Sequence, residues 1–456
     1  MGKAIVFLKT AAIYFIGNIL TKMIGFFLLP LYTKRLLPSQ FGEYDLIVAL
    51  ISFFIPVLFF QIWDGMFRFA FDKNEKNEKY NIITNSFFVF LGGLIVYSLI
   101  YSIIGEVFNF NFKWIIFIYG VSFALQYQYS FIARVFLKNK LFVFSGFMNS
   151  LISAISNIIL IVGLGMGVEA LYISAILGVV IQVVMIEIVV KPLNNLNIKA
   201  IDIDRIVKMI KFSIPLCVAS ISYWLLSGYT KLCIVNRLGA YENGLYAVAN
   251  KFSIIVSLMV SIFQYAWNEM AYKMANDCNR IDSYKISIQY IFKVIIMGSA
   301  IGILGIKLIF PWFIDSSYIE ALSIIPLVLI GVAFNSLAGF IGTIFMTEKD
   351  TKSIFITTII AAFVNILCMN LFINLWELQG AVASLCLSFI ILSFIRIIII
   401  KKTLKIKSFN INIIYFVILL ASIYIYYKYD GIIILLSIIF IILFSIINSV
   451  KGVDKN

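Results

Sequence analysis

Residues Thr21–Leu46 read TKMIGFFLLPLYTKRLLPSQFGEYDL. The stretch starts inside an apolar run long enough to span a membrane and carries Lys22 near the middle of that run. It leaves through Pro30, crosses a polar turn holding Lys34, Arg35, Pro38 and Gly42, and enters a second apolar run. A lysine at the centre of a bilayer costs about 2.5–3.5 kcal/mol on insertion scales, so Lys22 calls for a wet cavity or a long reach to the headgroups. A weaker copy of the turn recurs at an offset of 202 residues, where Arg35, Leu36, Gly42 and Tyr44 meet Arg237, Leu238, Gly244 and Tyr246.

Working outward, the composition sets the environment. Apolar residues make up 62% and charged residues 13% of the 456, and mean hydropathy is +1.03. A soluble domain carries about 25% charge, so the chain is read as an integral membrane protein. Fourteen apolar runs lie at roughly 10–31, 45–63, 81–103, 114–133, 142–163, 169–190, 212–233, 244–266, 286–308, 321–344, 354–374, 380–400, 411–427 and 431–449. Each is about the length a spanning helix needs. They are continuous, whereas barrel strands alternate over about ten residues, so the fold class is all-α and polytopic.

Charge placement orients the spans. With the N-terminus inside, 26 of the 36 Lys and Arg fall on cytoplasmic segments, among them Arg134, Arg280 and Arg396, and six fall outside. That is a strong positive-inside signal, with both termini cytoplasmic. Lys22, Lys251, Lys293 and Lys307 remain within spans. The N-terminal run continues to Leu31 with no small-residue cleavage site and is read as an uncleaved first span. Val6 breaks the myristoylation pattern begun by Gly2.

The repeat divides the chain into an N-terminal six-helix bundle (1–190), a polar cytoplasmic connector (191–211), a C-terminal six-helix bundle (212–400) and two additional transmembrane helices with a tail (401–456). Six spans per half give both halves the same orientation, as parallel repeats about an axis along the membrane normal. Lys22 has no counterpart in the second half, where the same offset lands on Trp224.

The candidate site residues are the in-span cations Lys22, Lys251 and Lys293, read either as lining a water-filled cavity or as snorkelling. Lysine is a compact point charge that suits phosphate. Asp64 and Arg68, where the second span meets the cytoplasm, are either a gate pair or an interfacial ion pair. Lys307, at a span end, is read as interfacial. Pro56 and Pro326 fall inside runs and predict kinks. Tyr127, Tyr129, Phe131 and Trp376 are read as interfacial aromatics.

Several functions are disfavoured. There is no histidine, hence neither the commonest metal ligand nor the commonest general base. Cys217, Cys233, Cys278, Cys368 and Cys386 form no CxxC. No metal, cofactor or catalytic residue is expected. The net charge of +14 has no basic soluble segment to hold a nucleic acid.

RLLPSQFGEYDL after the first span, GMFRF after the second, SIPL at Ser213–Leu216 and NRLGAYENGLYAVANKF at Asn236–Phe252 resemble the polysaccharide-unit flippases. These O-antigen and capsule repeat-unit transporters belong to the multidrug/oligosaccharidyl-lipid/polysaccharide exporter superfamily. The resemblance implies two six-helix bundles around a central cavity, with two further helices. It implies an undecaprenyl-diphosphate-linked oligosaccharide turned from the cytoplasmic to the periplasmic leaflet of the bacterial inner membrane by alternating access. Lys22 and Lys251 lie where related flippases often place basic residues. Membrane lipids, a polysaccharide polymerase and chain-length proteins are the partners such a role suggests. Tyr229-Thr230-Lys231 departs from the family's pattern of an acid before the base. A drug/cation antiporter of the superfamily would be expected to carry cavity acids, and a peptidoglycan-precursor flippase would also have fourteen spans. A membrane polymerase or glycosyltransferase would need catalytic polar residues on a sizeable loop.

Overall fold

The computed structural model describes residues 17, 19–71, 73–107, 111–274, 279–406 and 413–453. Lys3, Lys9, Cys278 and the start of the first span lie outside them. Every described element is helical. Residues 19–27 form the helix of the first span, which turns at Leu28 and resumes as α1 (Leu29–Arg35). The following helices are α2 (Pro38–Leu58), α3 (Ile62–Phe71), α4 (Lys76–Val107), α5 (Lys113–Val135), α6 (Asn139–Ile158) and α7 (Glu169–Val190). Then come α8 (Ile203–Leu238), α9 (Ala240–Met274), α10 (Arg280–Phe313), α11 (Ile325–Thr347), α12 (Thr351–Thr403), α13 (Ile414–Lys428) and α14 (Ile432–Val453). Among the described residues nine helices are long and apolar enough to cross a membrane, with two shorter apolar helices at the end. The chain is an all-α polytopic membrane protein.

Three departures from simple spans have local causes. The second span is broken. Phe60 and Gln61 adopt left-handed backbone conformations, and the Gln61 amide reaches back to the Pro56 carbonyl at 2.8 Å, so α2 stops and α3 starts at a new angle. Pro326, expected to kink a helix, instead sits in the first turn of α11, where its missing N–H costs nothing. The 53 residues of α12 hold two spans, joined where Trp376 and Glu377 leave helical geometry.

The chain divides into two compact units, Met1–Leu31 with Tyr44–Trp224, and Tyr32–Glu43 with Leu225–Asn456. In the first unit Asn85 is fully buried beneath the connector. It donates to the Ala200 carbonyl (2.9 Å) and accepts from the Asp202 amide (2.8 Å). Asp202 in turn accepts from the Asp204 amide at 3.0 Å, capping α8. The amphipathic stretch after Asp202 therefore runs straight into the seventh span as one helix.

The second unit is built on α11, which packs on α9, α10 and α12. In its 32-residue span, Ser316–Thr347, 72% of the apolar window is buried, so that span is core rather than lipid-facing wall. The turn of the opening stretch is also anchored here. Tyr318 donates to the Leu36 carbonyl (3.0 Å), the Asp315 amide to Thr33 Oγ1 (3.4 Å), and Asn243 Nδ2 to the Gly42 carbonyl (2.7 Å). A Cβ on Gly42 would fall 1.9 Å from the Ala240 carbonyl oxygen, and one on Gly244 would fall 1.9 Å from that of Pro38. Pro38 and Ala240 are themselves 202 residues apart, so the two copies of the turn meet reciprocally through equivalent residues. Only glycine permits that approach.

The last two helices are pinned to α10. The Lys307 ammonium donates to the Tyr426 and Tyr429 carbonyls at the C-terminal end of α13 and pairs with Asp430 at 2.7 Å. A cation at the negative end of a helix dipole is favourable. Lys307, read from the sequence as interfacial, is thus a helix cap within the second unit.

Candidate functional site

Lys22 lies on the helix of residues 19–27 and is half-buried, in the first unit. Among the described residues its ammonium meets no carboxylate. Lys251 on α9 and Lys293 on α10 are also half-buried, in the second unit.

Asp64 is half-buried on α3, and Arg68, one turn later, is exposed. The charge acting on the Asp64 carboxylate is the Arg134 guanidinium, and the Trp63 indole donates a hydrogen bond to it. Arg134 is stacked over Phe67 (4.8 Å) and Phe131 (4.9 Å). The described contacts therefore couple Asp64 to Arg134 on α5. Trp63 stacks on Tyr127 with ring centroids 4.9 Å apart and 20° between planes. Tyr127 sits eight residues, about 12 Å of helix rise, before the end of α5 at Val135. Asp64 thus lies alongside the part of α5 between Tyr127 and Arg134. Gln61, on the break, donates to Ser220 Oγ at 2.9 Å, while its Oε1 is buried with no hydrogen-bond partner among the described residues.

The interfacial reading of the aromatics also changes. Tyr129 is buried and donates to Glu187 at 3.0 Å. Tyr127 is 37% exposed at mid-span depth.

The second unit holds a charge that sequence reading placed in the cytoplasm. Arg396 is buried on α12. It donates to the Ala338 carbonyl (2.6 Å), Thr357 Oγ1 (3.1 Å), Thr358 Oγ1 (3.2 Å) and the Ile354 carbonyl (3.5 Å). A guanidinium with this many acceptors ties helices together. Its signal in the sequence is position: Arg396 stands five residues ahead of the Lys401-Lys402 pair that ends the run, among isoleucines.

At one end of the second unit, Glu242, Glu320, Ser323, Asn374, Trp376 and Glu377 help line a pocket of about 510 Å³. Glu242 stands in the first turn of α9, ahead of the apolar run. Burial first, then the neighbouring Glu320 and Glu377 carboxylates, pushes its carboxyl above the usual range. Among the described residues no cluster of metal-ligating side chains forms.

This helical architecture is shared by known transporters. It superposes on a structure of the lipid II flippase MurJ in an inward closed conformation with a TM-score of 0.65 at 16% identity, over 98% of this chain and 99% of that one. An inward-facing multidrug resistance MATE family transporter of the MOP superfamily gives 0.67 at 11%, over 86% and 96%. A MOP superfamily transporter from Pyrococcus furiosus, described as having a binding pocket of reversed polarity, gives 0.56 at 12%, over 87% and 95%. No curated protein sequence matches the chain. The chain shares the fold of these transporters. It belongs to the polysaccharide biosynthesis protein family, whose model matches residues 7–268, more than half of its length.

Proposed function

We propose that the chain is a flippase that turns undecaprenyl-diphosphate-linked oligosaccharide repeat units from the cytoplasmic to the outer leaflet of the bacterial inner membrane, for surface polysaccharide synthesis. The observation that carries the reading is Lys22, a cation within the first span that meets no carboxylate among the described residues, in a chain of the polysaccharide biosynthesis family. A cation at that depth suits an anionic cargo, and a diphosphate is such a group. Lys251 and Lys293 supply further positive charge from the second unit. Asp64, coupled to Arg134, supports an inner gate. The two halves, 1–190 and 212–400, act as parallel repeats in alternating access, with 401–456 appended. The cargo is moved without covalent change. Both termini lie in the cytoplasm, and a polymerase and chain-length proteins take up the exported units.

A second reading, transport of a lipid II-type precursor, draws on the MurJ match, which runs the full length of both chains and so includes the last two helices. The two readings share a polyprenyl diphosphate and differ in what it carries.

Reconstitution tests them. Protein in liposomes is given a fluorescent polyprenyl-diphosphate sugar with and without a peptide attached. The expected result is translocation of the peptide-free lipid with no new glycosidic bond, and its loss in Lys22→Ala. Preference for the peptide-bearing lipid would select the second reading, and a lengthened saccharide would overturn both.

A further inference from the structure

On α5 the rings of Tyr119, Phe123, Tyr127 and Phe131 recur every four residues and so share one face of the helix. They form a stripe about 18 Å long. The first three rings touch in turn, with centroids 6.4 Å apart for Tyr119–Phe123 and 5.2 Å for Phe123–Tyr127. Trp63 stacks against Tyr127 at 4.9 Å. Tyr119 and Trp63 are buried, whereas Phe123 and Phe131 are half-buried and Tyr127 is exposed. The accessible part of the stripe is therefore its inner half, where the Asp64 carboxylate lies within electrostatic range of the Tyr127 hydroxyl.

We infer that this face, with Tyr127 as platform and Asp64 as hydrogen-bond acceptor, is a stacking site for the saccharide of the transported lipid. The inference rests on the flippase reading. A half-buried carboxylate turned towards hydrocarbon would be costly, which argues that this face is wet. The carboxylate also decides which part of the lipid binds. Asp64, coupled to Arg134, offers acceptor oxygens that an ionised diphosphate has no donor for, and an isoprenoid tail offers it no donor either. A sugar ring presents C–H groups to the aromatic face and hydroxyl donors to the carboxylate. Lys22 and Asp64 would then divide one substrate by charge, with the diphosphate at the cation and the sugar at the acid.

The test titrates full-length purified protein with two probes, undecaprenyl diphosphate and the same lipid bearing one N-acetylhexosamine. Wild type should bind the sugar-bearing probe about tenfold more tightly. Tyr127→Leu should erase that difference by weakening the sugar-bearing probe alone, and Tyr127→Trp should retain most of it. Phe123→Leu gives the same reading should Tyr127→Leu not fold. Equal weakening of both probes would assign the stripe to the isoprenoid tail, and no weakening of either would make it packing; each overturns the inference. Wild type that binds both probes alike also overturns it and leaves the flippase reading standing. Wild type that binds neither overturns the flippase reading and this site with it.

Discussion

Lys22 and Arg396 are both cations inside apolar runs, and the structure treats them in opposite ways. In the second unit every part of the Arg396 guanidinium is engaged by carbonyls and threonine hydroxyls contributed by α11 and α12. In the first unit Lys22 meets no carboxylate among the described residues. A satisfied buried charge fixes structure, whereas an unsatisfied one is costly unless something outside the chain completes it. The difference marks Arg396 as part of the frame and, on the flippase reading, Lys22 as a residue that would meet cargo.

The comparison breaks first on paired substitutions. Lys22→Ala should reduce surface polysaccharide export by about two orders of magnitude or more while the melting temperature in detergent stays unchanged, on the strength of a costly in-span charge kept for function. A clear fall in melting temperature would make Lys22 structural and erase the contrast. Arg396→Leu should do the reverse. It leaves buried acceptors unpaired, costing about 1–3 kcal/mol, and should lower the melting temperature. Full stability in that variant would show that Arg396 is spare.

A smaller effect is expected at the glycine crossing. Gly244→Ala forces a methyl group against the Pro38 carbonyl and should cost about 1–3 kcal/mol as overpacking. A neutral result would mean that the crossing gives way easily. The smallest effect concerns Glu242. Its raised folded pKa means that ionisation opposes the native state above that pKa, and the opposition disappears as pH falls through it. Glu242→Gln should therefore melt above wild type at pH 7, with the gap closing towards acid pH. A gap constant with pH would assign the effect to shape rather than charge.

The helices were legible because an apolar run of about 20 residues has few alternatives in a membrane. All fourteen runs find helical residues, and the two runs at 354–374 and 380–400 are the arms of α12. Lys22 was legible as an interruption in such a run. Asp64 was visible as a residue, yet its surroundings depend on a backbone break at Phe60–Gln61 and on Tyr127, 63 positions later. No period in the sequence encodes that pairing. Arg396 misled because its neighbour Lys401 made the run look finished, and the acceptors that bury it come from α11 and the other arm of α12. Pro326 misled for a related reason, since a proline in an apolar run reads alike whether it kinks a helix or begins one.

The reciprocal meeting of Pro38/Gly42 with Ala240/Gly244 bears on how such a chain could arise. A contact in which each side presents the same patch to the other is isologous, the kind a two-fold homodimer makes. Each copy of the turn supplies both the bare glycine and the carbonyl that approaches it. A half-length ancestor carrying one copy would thus have held both surfaces needed to pair with itself. Gene fusion would keep that contact while releasing the paired positions elsewhere to diverge. Lys22 and its counterpart Trp224 illustrate the release: one became an in-span cation, and the other an indole that donates to the Ala49 carbonyl at 2.9 Å.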